Sequence, residues 1–150
     1  MKPLDLADFL PYRVSVLANR ISSRLASVYA DRFDLTIPEW RVMAVLGQFE
    51  GVSADFVCAK TEMDRVTVSR AVARLLKKRY ITRRFLAEDR RRSRLALSAA
   101  GRAVYAEVVP LARRFEAALK RGIDAGDMAR FDAVVARLQQ RIGEIDASAL

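Results

Sequence analysis

Residues 53–97 read SADFVCAK-TEMDRVTVSR-AVARLLKKRY-ITRRFLAEDR-RRSRLAL, and this stretch decides the fold. Ser53 can cap a short helix through Phe56, Val57 and Ala59, because a serine oxygen accepts from a free first-turn N–H. Asp64 caps a second helix whose apolar stripe is Val68, Ala71, Val72 and Leu75, at the spacing of one helical face. After Leu76 the period changes. Tyr80–Leu86 and Ser93–Leu97 read as strands, with Ile81, Phe85, Leu95 and Leu97 as their apolar residues. The charged loop Ala87–Arg92 joins them into an antiparallel hairpin. Opposite the stripe lie Arg65, Thr67, Ser69, Arg70, Arg74 and Lys77. A helix with donors outside and an apolar face inside suits the major groove of B-DNA. Arginine can take guanine O6 and N7 together, and hydroxyls suit phosphates or base edges. A thin hairpin tipped by Arg90, Arg91 and Arg92 has the shape for a narrow minor groove.

Charge is concentrated in the same place. The chain has 150 residues and a net charge of +9. Between Arg65 and Arg94 twelve lysines and arginines face only Glu88 and Asp89, so the remainder of the chain is close to neutral. So local an excess favours a polyanion-binding surface, with nucleic acid the leading partner and an anionic membrane surface the second.

The flanks read as helices. From Pro11 to about Ala30, Val14, Leu17, Ile21, Leu25 and Val28 form one apolar stripe, with Pro11 in the first turn. Thr36-Ile-Pro-Glu39 is a capping box opening a helix with Val42, Val45, Leu46 and Phe49 inside, closed by Gly51. Ser98 caps a long helix to about Arg121, with a kink expected at Pro110. Asp124 starts a last helix carrying Met128, Phe131, Val135, Leu138, Ile142 and Ile145 on a seven-residue repeat. The expected class is mainly α with a small β-hairpin, and 1–150 forms a single domain.

Composition removes several functions. The chain contains no histidine and one cysteine, which excludes His-based zinc sites, Ser-His-Asp triads, Cys-His dyads and an internal disulfide. No metal and no cofactor are expected, since no Gly-rich phosphate loop or ligand cluster is present. Glu88 and Asp89 are adjacent and lie beside three arginines, which suits ionised structural carboxylates better than acid/base catalysis, so no enzyme is expected. No apolar run is long enough to span a membrane, and Asp5 and Asp8 interrupt any signal-peptide pattern, so a cytoplasmic protein is expected.

The motif Arg84-x4-Asp89-Arg-Arg91-x3-Leu95-x-Leu97-Ser98-x2-Gly101 resembles the wing signature of MarR-type winged helix-turn-helix transcriptional regulators. Thr67-Val-Ser-Arg70 followed by Leu75 is similar to that family's recognition-helix core. Thr36-x-Pro-x-Trp40 with Leu46 resembles the start of its second helix. The resemblance implies a winged helix over about 36–98, and dimerisation helices over about 9–31 and 99–147. It further implies that Asp89 orients Arg91 toward the minor groove. A homodimer would present two recognition helices to a pseudo-palindromic operator in double-stranded DNA, most simply as a repressor. Two departures stand out. Arg79 sits where the family usually has glycine, which costs about 1 kcal/mol if φ there is positive. Arg92 is an extra wing arginine, expected on a phosphate.

Four alternatives stay open. The apolar residues of the last helix serve either isologous pairing or an intramolecular core. Trp40 and Met43 either line a pocket for a small aromatic or phenolic ligand, as in similar proteins, or belong to the core. Cys58, among Phe56, Val57 and Ala59, reads as an inert thiol rather than a peroxide sensor. A non-specific architectural DNA- or RNA-binding protein would share the basic patch without needing Thr67, Ser69 and Arg70.

Overall fold

The computed structural model describes residues 3–89 and 92–149. The chain divides into two compact units, the first ending at Phe115 and the second beginning at Glu116. In order it forms α1 (Leu10–Ala26), α2 (Ala30–Phe33), α3 (Ile37–Gln48), α4 (Ala54–Thr61), α5 (Arg65–Lys77), β1 (Ile81–Phe85), β2 (Ser93–Leu97), α6 (Ala99–Leu119) and α7 (Ala125–Glu144). A short 3-10 turn follows at Ala147–Ala149.

Most of the expected helix starts hold through their caps. Thr36 Oγ1 accepts from Glu39 N–H while Glu39 Oε2 accepts from Thr36 N–H at 2.7 Å, completing the capping box. Ser53, Asp64 and Asp124 accept from Phe56, Thr67 and Asp127 N–H. The N-terminal helix departs from its reading as one piece. Ser27 Oγ donates to the Arg24 carbonyl, a back-bond that competes with continued helix, and the chain turns before α2. That turn delivers Tyr29 into the core at 1% exposure. The helix begun at Thr36 ends at Gln48, and Gly51 lies in the following loop with φ +66° rather than closing the helix. α6 runs unbroken through Pro110.

The core of the first unit joins α3, α4, α5 and the hairpin through Val42, Met43, Leu46, Val57, Leu75, Leu95 and their neighbours. β1 and β2 are antiparallel, with Ile81 opposite Leu97 and Phe85 opposite Ser93. Val52 adds an isolated bridge to Leu95. Two glycines allow α6 to pack. A Cβ on Gly101 would stand 1.8 Å from the Tyr80 carbonyl oxygen, and one on Gly47 would strike the Tyr105 ring. Phe85, one of the four apolar strand residues, is 61% exposed because the strands extend past the level of Leu95, where the core ends.

α7, in the second unit, has no buried residue; Phe131, Val134 and Ile142 are exposed.

Candidate nucleic-acid interface

α4 and α5 form a helix-turn-helix joined by Glu62, Met63 and Asp64. Glu62 makes the sharp corner in the left-handed region at φ +55°, its N–H donating to the Cys58 carbonyl. Val68, Ala71, Val72 and Leu75 are all at most 3% exposed, so the inner face of α5 is the one the spacing indicated. Its packing fixes which side chains face out. Ser69, Arg70, Arg74 and Lys77 are exposed. Arg65 is exposed at the first turn and lies 3.4 Å from Asp55 of α4.

Thr67 is held differently. Its hydroxyl donates to Asp64 Oδ2 at 2.7 Å, so the donor expected for DNA closes the helix cap. The Thr67 backbone and side-chain bonds hold the Asp64 carboxyl below its ordinary pKa. A lowered folded pKa gives stability that is present above the usual carboxylate range. It is lost as pH falls through the lowered value, so the cap survives at neutral and mildly acidic pH.

Two residues at this helix escaped sequence reading. Val66 is 58% exposed and shares the outward row with Arg70, Ala73 and Lys77, spaced four, three and four. An outward valine among donors can meet a thymine methyl. Lys78 was counted with the surface cations but points inward, with its side chain 23% exposed. Its Nζ lies 3.1 Å from Oε1 and 3.3 Å from Oε2 of Glu39, whose side chain is fully buried. The same ammonium meets the Asp34 carboxylate at 3.2 Å and bonds the Asp34 carbonyl. One lysine thus ties the C-terminus of α5 to the N-terminus of α3. Its spacing of three from Leu75 was the available signal.

The end of α5 is a Schellman turn. Tyr80 N–H donates to the Leu75 carbonyl and Arg79 N–H to that of Leu76. Arg79 has φ +60°, and its carbonyl accepts from Ser98 Oγ at 2.6 Å. Because Tyr80 N–H is used here, β1 begins at Ile81. The wing then closes with Leu86 N–H on the Arg92 carbonyl and Arg92 N–H on that of Asp89. Arg92 Nε stands 3.7 Å from Asp89 Oδ2. Arg90 and Arg91 lie outside the described residues, and with them the expected Asp89–Arg91 brace.

Trp40 and Met43 are core residues. Met43 is fully buried, and Trp40 packs between Tyr29 and Tyr105 at centroid distances of 5.5 and 5.9 Å. Cys58 is partly buried against the core.

Helix-turn-helix, basic outward helix and hairpin together define a winged helix-turn-helix. Residues 33–92 match the MarR family, the family whose motifs the sequence resembles. No curated protein sequence matches the chain. Similar solved structures include a MarR/EmrR family transcriptional regulator from Acinetobacter sp. ADP1. It is 21% identical, with a TM-score of 0.86 over 95% of this chain and 100% of that one. PcaV of Streptomyces coelicolor, solved with its natural ligand, is 22% identical. Its TM-score is 0.74, over 93% of this chain and 98% of that one. BpsR of Bordetella bronchiseptica, whose DNA binding is regulated by 6-hydroxynicotinic acid, is also 22% identical. Its TM-score is 0.71, over 85% of this chain and 98% of that one. At these identities the likeness speaks for the fold. Among the described residues no helix is long and apolar enough to cross a membrane.

Proposed function

We propose that the protein is a sequence-specific, double-stranded DNA-binding transcriptional regulator that acts as a homodimeric repressor in the cytoplasm. The observation that carries this reading is α5, buried along Val68, Ala71, Val72 and Leu75 and presenting Arg70, Arg74 and Lys77 outward from a helix-turn-helix. Arg70 reads a base edge, most simply guanine, while Ser69, Arg74 and Lys77 hold phosphates or neighbouring edges. Arg65 fixes the first turn, and the Thr67 hydroxyl, while donating to the Asp64 carboxylate, can accept from a base amine. The basic wing tip, Arg90 to Arg92, meets the minor groove, which Arg91 enters under the orientation of Asp89, with Arg92 on a phosphate.

The dimer pairs α1, α6 and α7 with their counterparts across a two-fold axis. Support comes from Val14 and Leu17 on α1 and Phe131 and Ile142 on α7, each more than half exposed. A pseudo-palindrome with half-sites about one DNA turn apart follows. A small aromatic acid or phenol releases the repressor. The 6-hydroxynicotinic acid that regulates BpsR supports its class.

Competition binding against a duplex pool tests this reading. A selected pseudo-palindrome should bind at least roughly 1,000-fold more tightly than random duplex at physiological salt. Equal affinity for all duplexes would favour the architectural alternative.

A further inference from the structure

The outer face of the hairpin carries an arrangement that DNA reading by α5 does not explain. The register sets Arg84 directly opposite Arg94, with Thr82 opposite Ala96 beside them on the same face. Like charges directly opposed across a two-stranded ladder weaken the pairing. No carboxylate among the described residues lies within ion-pair distance of either guanidinium. The face is also concave. It forms one side of a groove of about 530 Å³, whose opposite wall is Arg102 with its ion-pair partner Glu50. Ser98, at the head of α6, lies between, its hydroxyl donating to Arg79 and accepting from Gly101.

Three guanidiniums against one carboxylate leave the groove with an excess of two positive charges. Its uncompensated charge is the Arg84–Arg94 pair, since Arg102 already has Glu50. Two planar forks on adjacent strands present several N–H donors into one space, the arrangement that binds phosphate or carboxylate oxygens best. An anion seated between them would turn the cross-strand repulsion into two attractions. We propose that this groove is an oxyanion site, with Arg84 and Arg94 as its ligands and Arg102 as its outer wall. The oxyanion comes either from a free small phosphate or carboxylate or from a nucleic-acid backbone. The site does not depend on the regulator reading.

Thermal unfolding of the full chain in chloride and in inorganic phosphate, at matched ionic strength, tests the site. Arg94→Gln serves as the variant and Arg121→Gln as a control of equal charge change. In chloride Arg94→Gln should melt roughly 1–3 °C above wild type, because it removes the repulsion. Phosphate should raise the Tm of wild type and control but not that of Arg94→Gln. Equal phosphate gains in all three proteins would be a general salt effect and would overturn the site. The wild-type protein alone gives a second reading. Saturable phosphate shifts confined to the Arg84 and Arg94 Nε–Hε resonances support the site, and their absence contradicts it. Duplex DNA then separates the sources. A backbone phosphate predicts that duplex displaces inorganic phosphate and that Arg94→Gln lowers the salt slope by about 1. A free anion predicts simultaneous binding with the slope kept. If wild type binds no duplex at all, the regulator reading fails while the phosphate result still stands.

Discussion

Arg79 holds φ +60° at the point where α5 hands the chain to β1, and its own N–H and carbonyl are both engaged. A side chain with a Cβ pays about 1 kcal/mol there relative to glycine. Arg79→Gly should therefore stabilise the protein by about that amount in urea unfolding; a loss of stability would mean the arginine packs against something essential. The cap residues were readable because Ser, Thr or Asp before a helix has one local use. Glu62 and Asp34 were not, although both adopt positive φ, at 55° and 50°. Neither carries a sequence signal, since their conformation comes from the turns that enclose them. Cys58 lies partly buried in α4, so Cys58→Ala should leave DNA binding peroxide-insensitive, as in the wild type. Reversible loss in peroxide that disappears in Cys58→Ala would show a sensing thiol.

Elements are where a surface-charge reading misled most. Lys78 joins α3 to α5 through Glu39, and removing one partner of a buried ion pair leaves the other charge stranded. Lys78→Met should cost about 3 kcal/mol in urea unfolding. Adding Glu39→Gln, which keeps an acceptor for Thr36 N–H, should recover most of that. A loss below about 1 kcal/mol in the single variant would mean the pair does not hold the helices. α5, the hairpin and its pairing were legible because their periods change sharply at Leu76. α2 was not, since four residues are too short for a period and the tertiary burial of Tyr29 creates it. The Val52 bridge escaped for the same reason, one residue having no alternation.

For the whole molecule, the winged module was legible in the apolar stripes and in the wing motif. What the apolar residues of α1 and α7 cover was not, because a stripe records that burial is needed and not by what. Exposed Leu17 and Ile142 give the dimer reading a direct check. Sedimentation of wild type should show a dimer at micromolar concentration, and Leu17→Glu with Ile142→Glu should shift it to monomer. A wild-type monomer would contradict the paired arrangement. The central claim, that α5 reads sequence, is tested most directly by comparing Arg70→Ala with Lys77→Ala on a selected operator across a salt series. Arg70→Ala should lose roughly 1–3 kcal/mol per half-site and relax preference at one base position. Lys77→Ala should weaken all duplexes alike and reduce the salt slope by about 1. An Arg70→Ala protein that keeps both its affinity and its preferred sequence would contradict the account.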